Sequence, residues 1–141
     1  MENMHLNWAA YAVAVIAQMA IGYLWFHPAV MGKMWAEANG RTVDEMKPKN
    51  PGLVYGLTIL YTLLNTMFLM LNVTGFGQED AKFHTFQHGL VHAVGFTFMV
   101  ILPVLGTPSI HEGKPKGWMI VQTGYWFVRV SVAMGILSLW R

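Results

Sequence analysis

Four apolar stretches, each about the length a helix needs to cross a bilayer, limit what this chain can fold into. A hydrocarbon core of about 30 Å takes about 20 apolar residues in helix. The stretches run from about Leu6 to Phe26, Gly52 to Val73, Phe83 to Leu105 and Gly117 to Trp140. Breakers separate them: His27-Pro28 closes the first, Lys49-Asn50-Pro51 precedes the second, and Gly106-Thr107-Pro108 closes the third. Of the 141 residues, 55% are hydrophobic and 11% charged, where a soluble domain carries about 25% charged residues. The expected fold is all-α: an integral membrane bundle of four transmembrane helices, forming a single domain over residues 1–141.

The same composition excludes several functions. There is no Cys, hence no disulfide framework, thiolate zinc site or cysteine nucleophile. The net charge is +2 and no run of Lys and Arg makes a nucleic-acid footprint. No Lys or Arg precedes the first apolar stretch, whereas a cleaved signal peptide has a basic start, so the first stretch reads as retained. Lys33, Arg41, Lys47 and Lys49 lie between spans one and two, and Lys114 and Lys116 between spans three and four; only Lys82 and Arg141 lie on the other side. The positive-inside rule then puts both odd-numbered loops in the cytoplasm. The expected location is a bacterial inner membrane with both termini in the periplasm.

Trp8 and Trp25 bracket span one, and Trp118 and Trp140 bracket span four, at separations of about 25 and 33 Å along a helix. This is the spacing of interfacial anchors. In the first loop, Pro28 can open a helix, and Val30, Met31, Met34 and Trp35 recur at helical spacing up to Gly40. Thr42-Val43-Asp44-Glu45 fits a capping box. Two short helices are therefore expected on the cytoplasmic face. Gly52 and Gly56 match a small-xxx-small packing pattern. The 11 Met residues read as apolar filler, with Met67 and Met70 on one face and Met99 and Met134 toward the core.

Two blocks carry a family resemblance. The first is Gly22-Tyr23-Leu24-Trp25-Phe26-His27-Pro28 followed by Met31-Gly32-Lys33-Met34-Trp35. The second comprises His111-Glu112-Gly113-Lys114-Pro115, Gly124-Tyr125 and Met134-Gly135-Ile136-Leu137. Over nearly its whole length the chain resembles the bacterial membrane family catalogued as domain of unknown function 1761. The resemblance implies a small four-helix membrane protein and supplies no activity. Trp126 stands where that family often has a polar residue, and Arg129 where it has a small or apolar one.

Polar side chains within a span are costly and mark functional sites by default. Arg129 sits midway along span four between Val128 and Val130, and all 7 acidic residues lie in loops or at the N-terminus. A buried guanidinium needs a partner, which leaves carbonyls, amide side chains, an anionic ligand or an acid on another chain. His84, His88 and His92 follow at i, i+4, i+8 along span three, one stripe on a helix and a candidate metal or haem ligand set. Counted from the outer side, His92 lies about 13 Å deep, Arg129 about 16 Å, Asn65 about 12 Å, Thr62 about 16 Å and Gln18 about 18 Å. In an up-down bundle the four helices would share a polar layer near the midplane, open to the outer side past His88 and His84.

There is no nucleophile–base pair and no phosphate loop, so a self-contained enzyme is not expected. The leading expectation is a non-catalytic accessory or binding subunit of a larger membrane complex, with the lipid bilayer and a protein partner or second copy as its surroundings. The alternatives are a small transporter or binding protein for a polar or anionic solute, using Arg129, His92, Asn65 and Gln18, and a haem or copper site on His84, His88 and His92.

Overall fold

The structure is a computed structural model that describes residues 6–75 and 77–141. The reading of Met1–His5 as lacking a basic start lies outside the described residues. Three of the four long helices begin where a polar side chain satisfies their first amides; the last follows Pro115 and has no side-chain cap. The helix α1 (Trp8–Trp25) is capped by Asn7, whose Oδ1 accepts from the amides of Ala9 and Ala10, both at 3.0 Å. A π-helical turn over Pro28–Gly32 leads into the short α2 (Lys33–Ala38). The chain leaves α2 through Gly40 at φ +64°, the left-handed position that favours glycine after a helix. Next comes α3 (Pro51–Thr74), with Pro51 in its first turn and Asn50 Oδ1 accepting the Leu53 amide at 3.1 Å. Thr85 Oγ1 accepts the His88 amide at 3.1 Å and starts α4 (Phe86–His111). The last helix is α5 (Lys116–Leu139). Among the described residues there is no strand. The helices α1, α3, α4 and α5 are each long and apolar enough to cross a membrane.

Three details differ from the sequence expectation. The third span runs on to His111 rather than stopping at Leu105. A proline at position 103 lacks the amide and crowds the carbonyl of Met99; a π-helical turn over Thr97–Ile101 sits just before it and widens the ladder where that carbonyl loses its donor. The capping box of the first loop forms, with Glu45 Oε2 accepting the Thr42 amide at 2.7 Å and Thr42 Oγ1 accepting the Glu45 amide at 3.3 Å. No second helix follows, because Pro48 has no amide to give the Asp44 carbonyl and disfavours helical backbone at Lys47. Gly52 and Gly56 are exposed, and a Cβ at Gly56 would meet nothing within 4 Å, so that pair packs no helix.

The close helix crossing lies elsewhere. A Cβ at Gly89 would stand 2.2 Å from the Met134 carbonyl oxygen, and one at Gly135 would stand 2.1 Å from the Phe86 ring. These two glycines let α4 and α5 meet backbone to backbone. The helices α1, α3 and α4 surround α5, which packs against all three and is the most enclosed of the four. The core is built from Leu69, Met70 and Val73 of α3, Ala93 of α4, and Val130, Ala133, Met134 and Leu137 of α5. Met70 and Met134 fill it as expected, whereas Met99 is 80% exposed and faces outward. The outer surfaces remain apolar, with Leu60, Leu64 and Phe68 on α3 and Val91, Phe98 and Val104 on α4 all exposed.

Trp8 and Trp140 are exposed near the ends of their helices. Trp25 is turned inward instead. Its indole N–H donates to the Val121 carbonyl at 3.1 Å, and its ring lies over Gly124, where a Cβ would be 3.0 Å away. The missing side chain at 124 opens the slot that takes the ring.

Candidate functional site

Arg129 is 6% exposed, and its guanidinium is held by three neutral oxygens from three helices. Its Nε–H donates to Gln18 Oε1 at 2.8 Å. Nη1 donates to the Tyr125 hydroxyl at 2.7 Å, and Nη2 to Thr62 Oγ1 at 2.9 Å. Its Cζ also lies 5.0 Å from the Trp126 ring centroid, within cation–π range.

Local sequence explains each partner. Ala10, Ala14 and Gln18 follow at i, i+4, i+8 and are all buried, so small residues bring α1 close to α5 and the amide arrives at guanidinium depth. On α3, Thr62 and Thr66 donate back to the carbonyls of Thr58 and Thr62, each at 2.7 Å. That back-bonding uses the hydroxyl protons and leaves the oxygens as acceptors. Thr62 Oγ1 takes Arg129, and Thr66 Oγ1 takes the Gln18 amide at 2.6 Å. Gln18 is thereby held with its carbonyl toward the cation. Tyr125 lies one turn before Arg129 on the same face of α5.

No carboxylate reaches this cation among the described residues. Asp44 pairs with Lys47, Asp80 with Lys82 and Glu112 with Lys114, at 2.7, 3.0 and 3.3 Å, all outside the four long helices. Instead, Arg129 lines a cavity of about 820 Å³. Gln18, Arg129 and Tyr125 form its inner end, Phe26, Trp35 and Tyr55 line its walls, and Val43, Met46, Lys47 and Pro48 of the first loop stand at its outer end. No Asp or Glu lines it.

The chain matches the family described as Protein of unknown function (DUF1761) over residues 9–138. It belongs to that family. No curated protein matches the chain, and no solved structure does. The part matched to DUF1761 contains Gln18, Thr62, Tyr125 and Arg129.

The expected polar layer is thus only partly assembled. Arg129 and Gln18 meet, together with Thr62 from the same depth. Asn65 does not join them: its Oδ1 is enclosed without a hydrogen-bond partner among the described residues. Nor does His92, whose Nδ1 lies 2.7 Å from Asn72 Oδ1. The helix α4 gives Arg129 no partner, and the cavity has no histidine of the stripe in its lining. The lining reaches the first loop and does not include His88 or His84. On the stripe, His88 and His92 are neighbours at 4.6 Å between ring centroids. His84 stands before α4 begins, at the end of a 3-10 turn, so helical spacing does not carry it onto the stripe. Among the described residues no three His, Cys, Asp or Glu side chains gather as a metal ion requires.

Sequence reasoning overlooked Tyr125 as a partner, although its i−4 relation to a lone Arg in an apolar stretch was a usable signal. The aromatic walls had no such signal, because they come from three separate segments.

Proposed function

We propose that this protein binds an anionic small molecule within the membrane, with Arg129 as the recognising cation. One observation carries the reading: a buried guanidinium, held only by neutral oxygens, ends a cavity whose lining has no carboxylate. A buried charge without a counter-ion is unfavourable, and removing its hydrogen-bond partners costs several kcal/mol more. An anion entering the cavity supplies the missing charge. The volume lies within the range of about 300–1,000 Å³ typical of small-molecule sites.

The basic first loop at the cavity's outer end favours uptake from the cytoplasmic side of a bacterial inner membrane, with the termini on the periplasmic side. This makes the protein a carrier or receptor for an anionic solute. The accessory-subunit reading draws no separate support from the fold, since lipid would cover the same apolar outer faces a partner would.

The test is thermal unfolding of the purified protein in detergent against a panel of inorganic phosphate, succinate and benzoate. At least one anion raises the midpoint of the wild type and leaves Arg129→Gln unmoved. A panel that shifts neither protein, or shifts both alike, refutes the reading.

A further inference from the structure

Resting on that reading, we infer that the ligand is a flat, aromatic-bodied monocarboxylate. The donor count sets the head group. A guanidinium has five N–H donors in one plane, and Arg129 commits one each from Nε, Nη1 and Nη2. One N–H remains on each terminal nitrogen. The Tyr125 hydroxyl accepts from Nη1, and its own proton has no acceptor among the described residues. Two terminal N–H groups and one phenol O–H match the two oxygens of a carboxylate. They fall short of a tetrahedral phosphate dianion, which brings more acceptor sites and a second charge.

The rest of the lining offers little to a second anionic group. Lys47 is exposed and already paired with Asp44 at 2.7 Å. His27 has its Nδ1 accepting the Ala29 amide at 3.2 Å, which leaves Nε2 as its one N–H donor. A dicarboxylate would find no second guanidinium in the lining, and its other charge would have only the His27 N–H, tyrosine hydroxyls and the already paired Lys47.

Those walls set the body of the ligand. Phe26 lies between Tyr125 and Trp35, with ring centroids 4.9 and 5.6 Å away. This makes a continuous aromatic wall from the guanidinium end toward the loop. Tyr23 and Tyr55 add two more rings to the lining. Stacked and edge-on contacts favour a planar apolar body over a flexible chain, and a rigid body loses less entropy on binding.

The experiment is titration calorimetry of the full chain in nanodiscs with 2-naphthoate, 2-naphthamide, decanoate, succinate and inorganic phosphate. Trp35 fluorescence, isolated by comparison with Trp35→Phe, serves as a second readout. The expected result is saturable 2-naphthoate binding, with the neutral amide, decanoate, succinate and phosphate each at least tenfold weaker. Tyr125→Phe, which keeps the ring, weakens 2-naphthoate about tenfold, and Arg129→Gln removes its binding. The comparison among ligands uses the wild type alone, so it stands even where a variant fails to fold. Arg129-dependent binding of phosphate, succinate or decanoate at least as tight as 2-naphthoate overturns the aromatic monocarboxylate and leaves the anion site intact. Equal binding of naphthoate and naphthamide, or no binding of any anion, overturns both.

Discussion

The Nε–H of Arg129 meets Oε1 of Gln18 at 2.8 Å across 111 positions of chain. Neither residue is stable at its depth alone. The amide is 1% exposed and the guanidinium 6%, so each supplies the hydrogen bonding that water would otherwise give. Leaving a buried charged donor unpaired costs more than removing the donor altogether. Gln18→Leu is therefore expected to lower stability by about 3 kcal/mol, and Arg129→Met by at most about 2 kcal/mol. In the double variant the Gln18 change adds little, a coupling of about 1–3 kcal/mol. Denaturant unfolding in mixed micelles measures all three. Strictly additive losses would show that the two side chains do not depend on each other.

The glycines at the α4–α5 crossing are expected to behave unlike those on α3. Gly89→Ala places a methyl 2.2 Å from the Met134 carbonyl oxygen, and the backbones must part to admit it. Overpacking of this kind costs about 1–3 kcal/mol. Gly56→Ala meets nothing within 4 Å and is expected to be neutral or stabilising by up to about 1 kcal/mol, since Ala is the better helix former. Equal midpoints for the two variants would contradict the crossing.

The turn in the first loop is expected to be acid-labile. The Thr42 amide and hydroxyl both bond the Glu45 carboxylate and hold its pKa below the ordinary value. A lowered folded pKa stabilises the turn above the ordinary glutamate pKa, and that contribution is lost as pH falls through the lowered one. The Thr42 amide chemical shift, followed by NMR from neutral pH downward, should move with that titration. Glu45→Gln should abolish the acid transition. An acid-insensitive Thr42 amide in the parent would remove the capping role of Glu45.

Arg141 ties the ends of several elements together. Its guanidinium donates to the carbonyls of Val73, Gln78 and Phe83, closing the C-terminal end of α3 and the second loop onto the end of α5. Arg141→Ala is expected to cost about 1–2 kcal/mol, given charge-assisted bonds at a half-exposed position. Hydrogen exchange should speed up in residues 77–85 and stay unchanged around Gln18 and Thr62. Uniform acceleration through the molecule would point to a global effect instead.

Much of this fold was legible because hydropathy and breakers mark helices directly. The four spans, the Pro28 start and the Gly40 stop need only local sequence. Depth along a helix is also local, which is why counting residues brought Gln18 and Thr62 to the level of Arg129. Rotation about the helix axis and the choice of neighbours are not local. Asn65 and His92 lie at nearly the right depth, yet Asn65 makes no bond to the cation and His92 turns to Asn72. The cavity depends on how α1, α3, α5 and the first loop lean together, and Trp25 folds into the slot left by Gly124. A hydropathy count equates Trp25 with Trp8, while the packing treats them oppositely.

The enclosed helix α5 is also the last of the four in chain order, and this bears on how the protein is made. Synthesis proceeds from the N-terminus, so α1, α3 and α4 emerge before the helix they pack around. Until α5 arrives, Gln18 and Thr62 lack the guanidinium that bonds them, and the glycine face of α4 lacks its neighbour. The helix α5 therefore acts as a keystone, and a chain halted before residue 129 has no guanidinium for Gln18 and Thr62 to gather on.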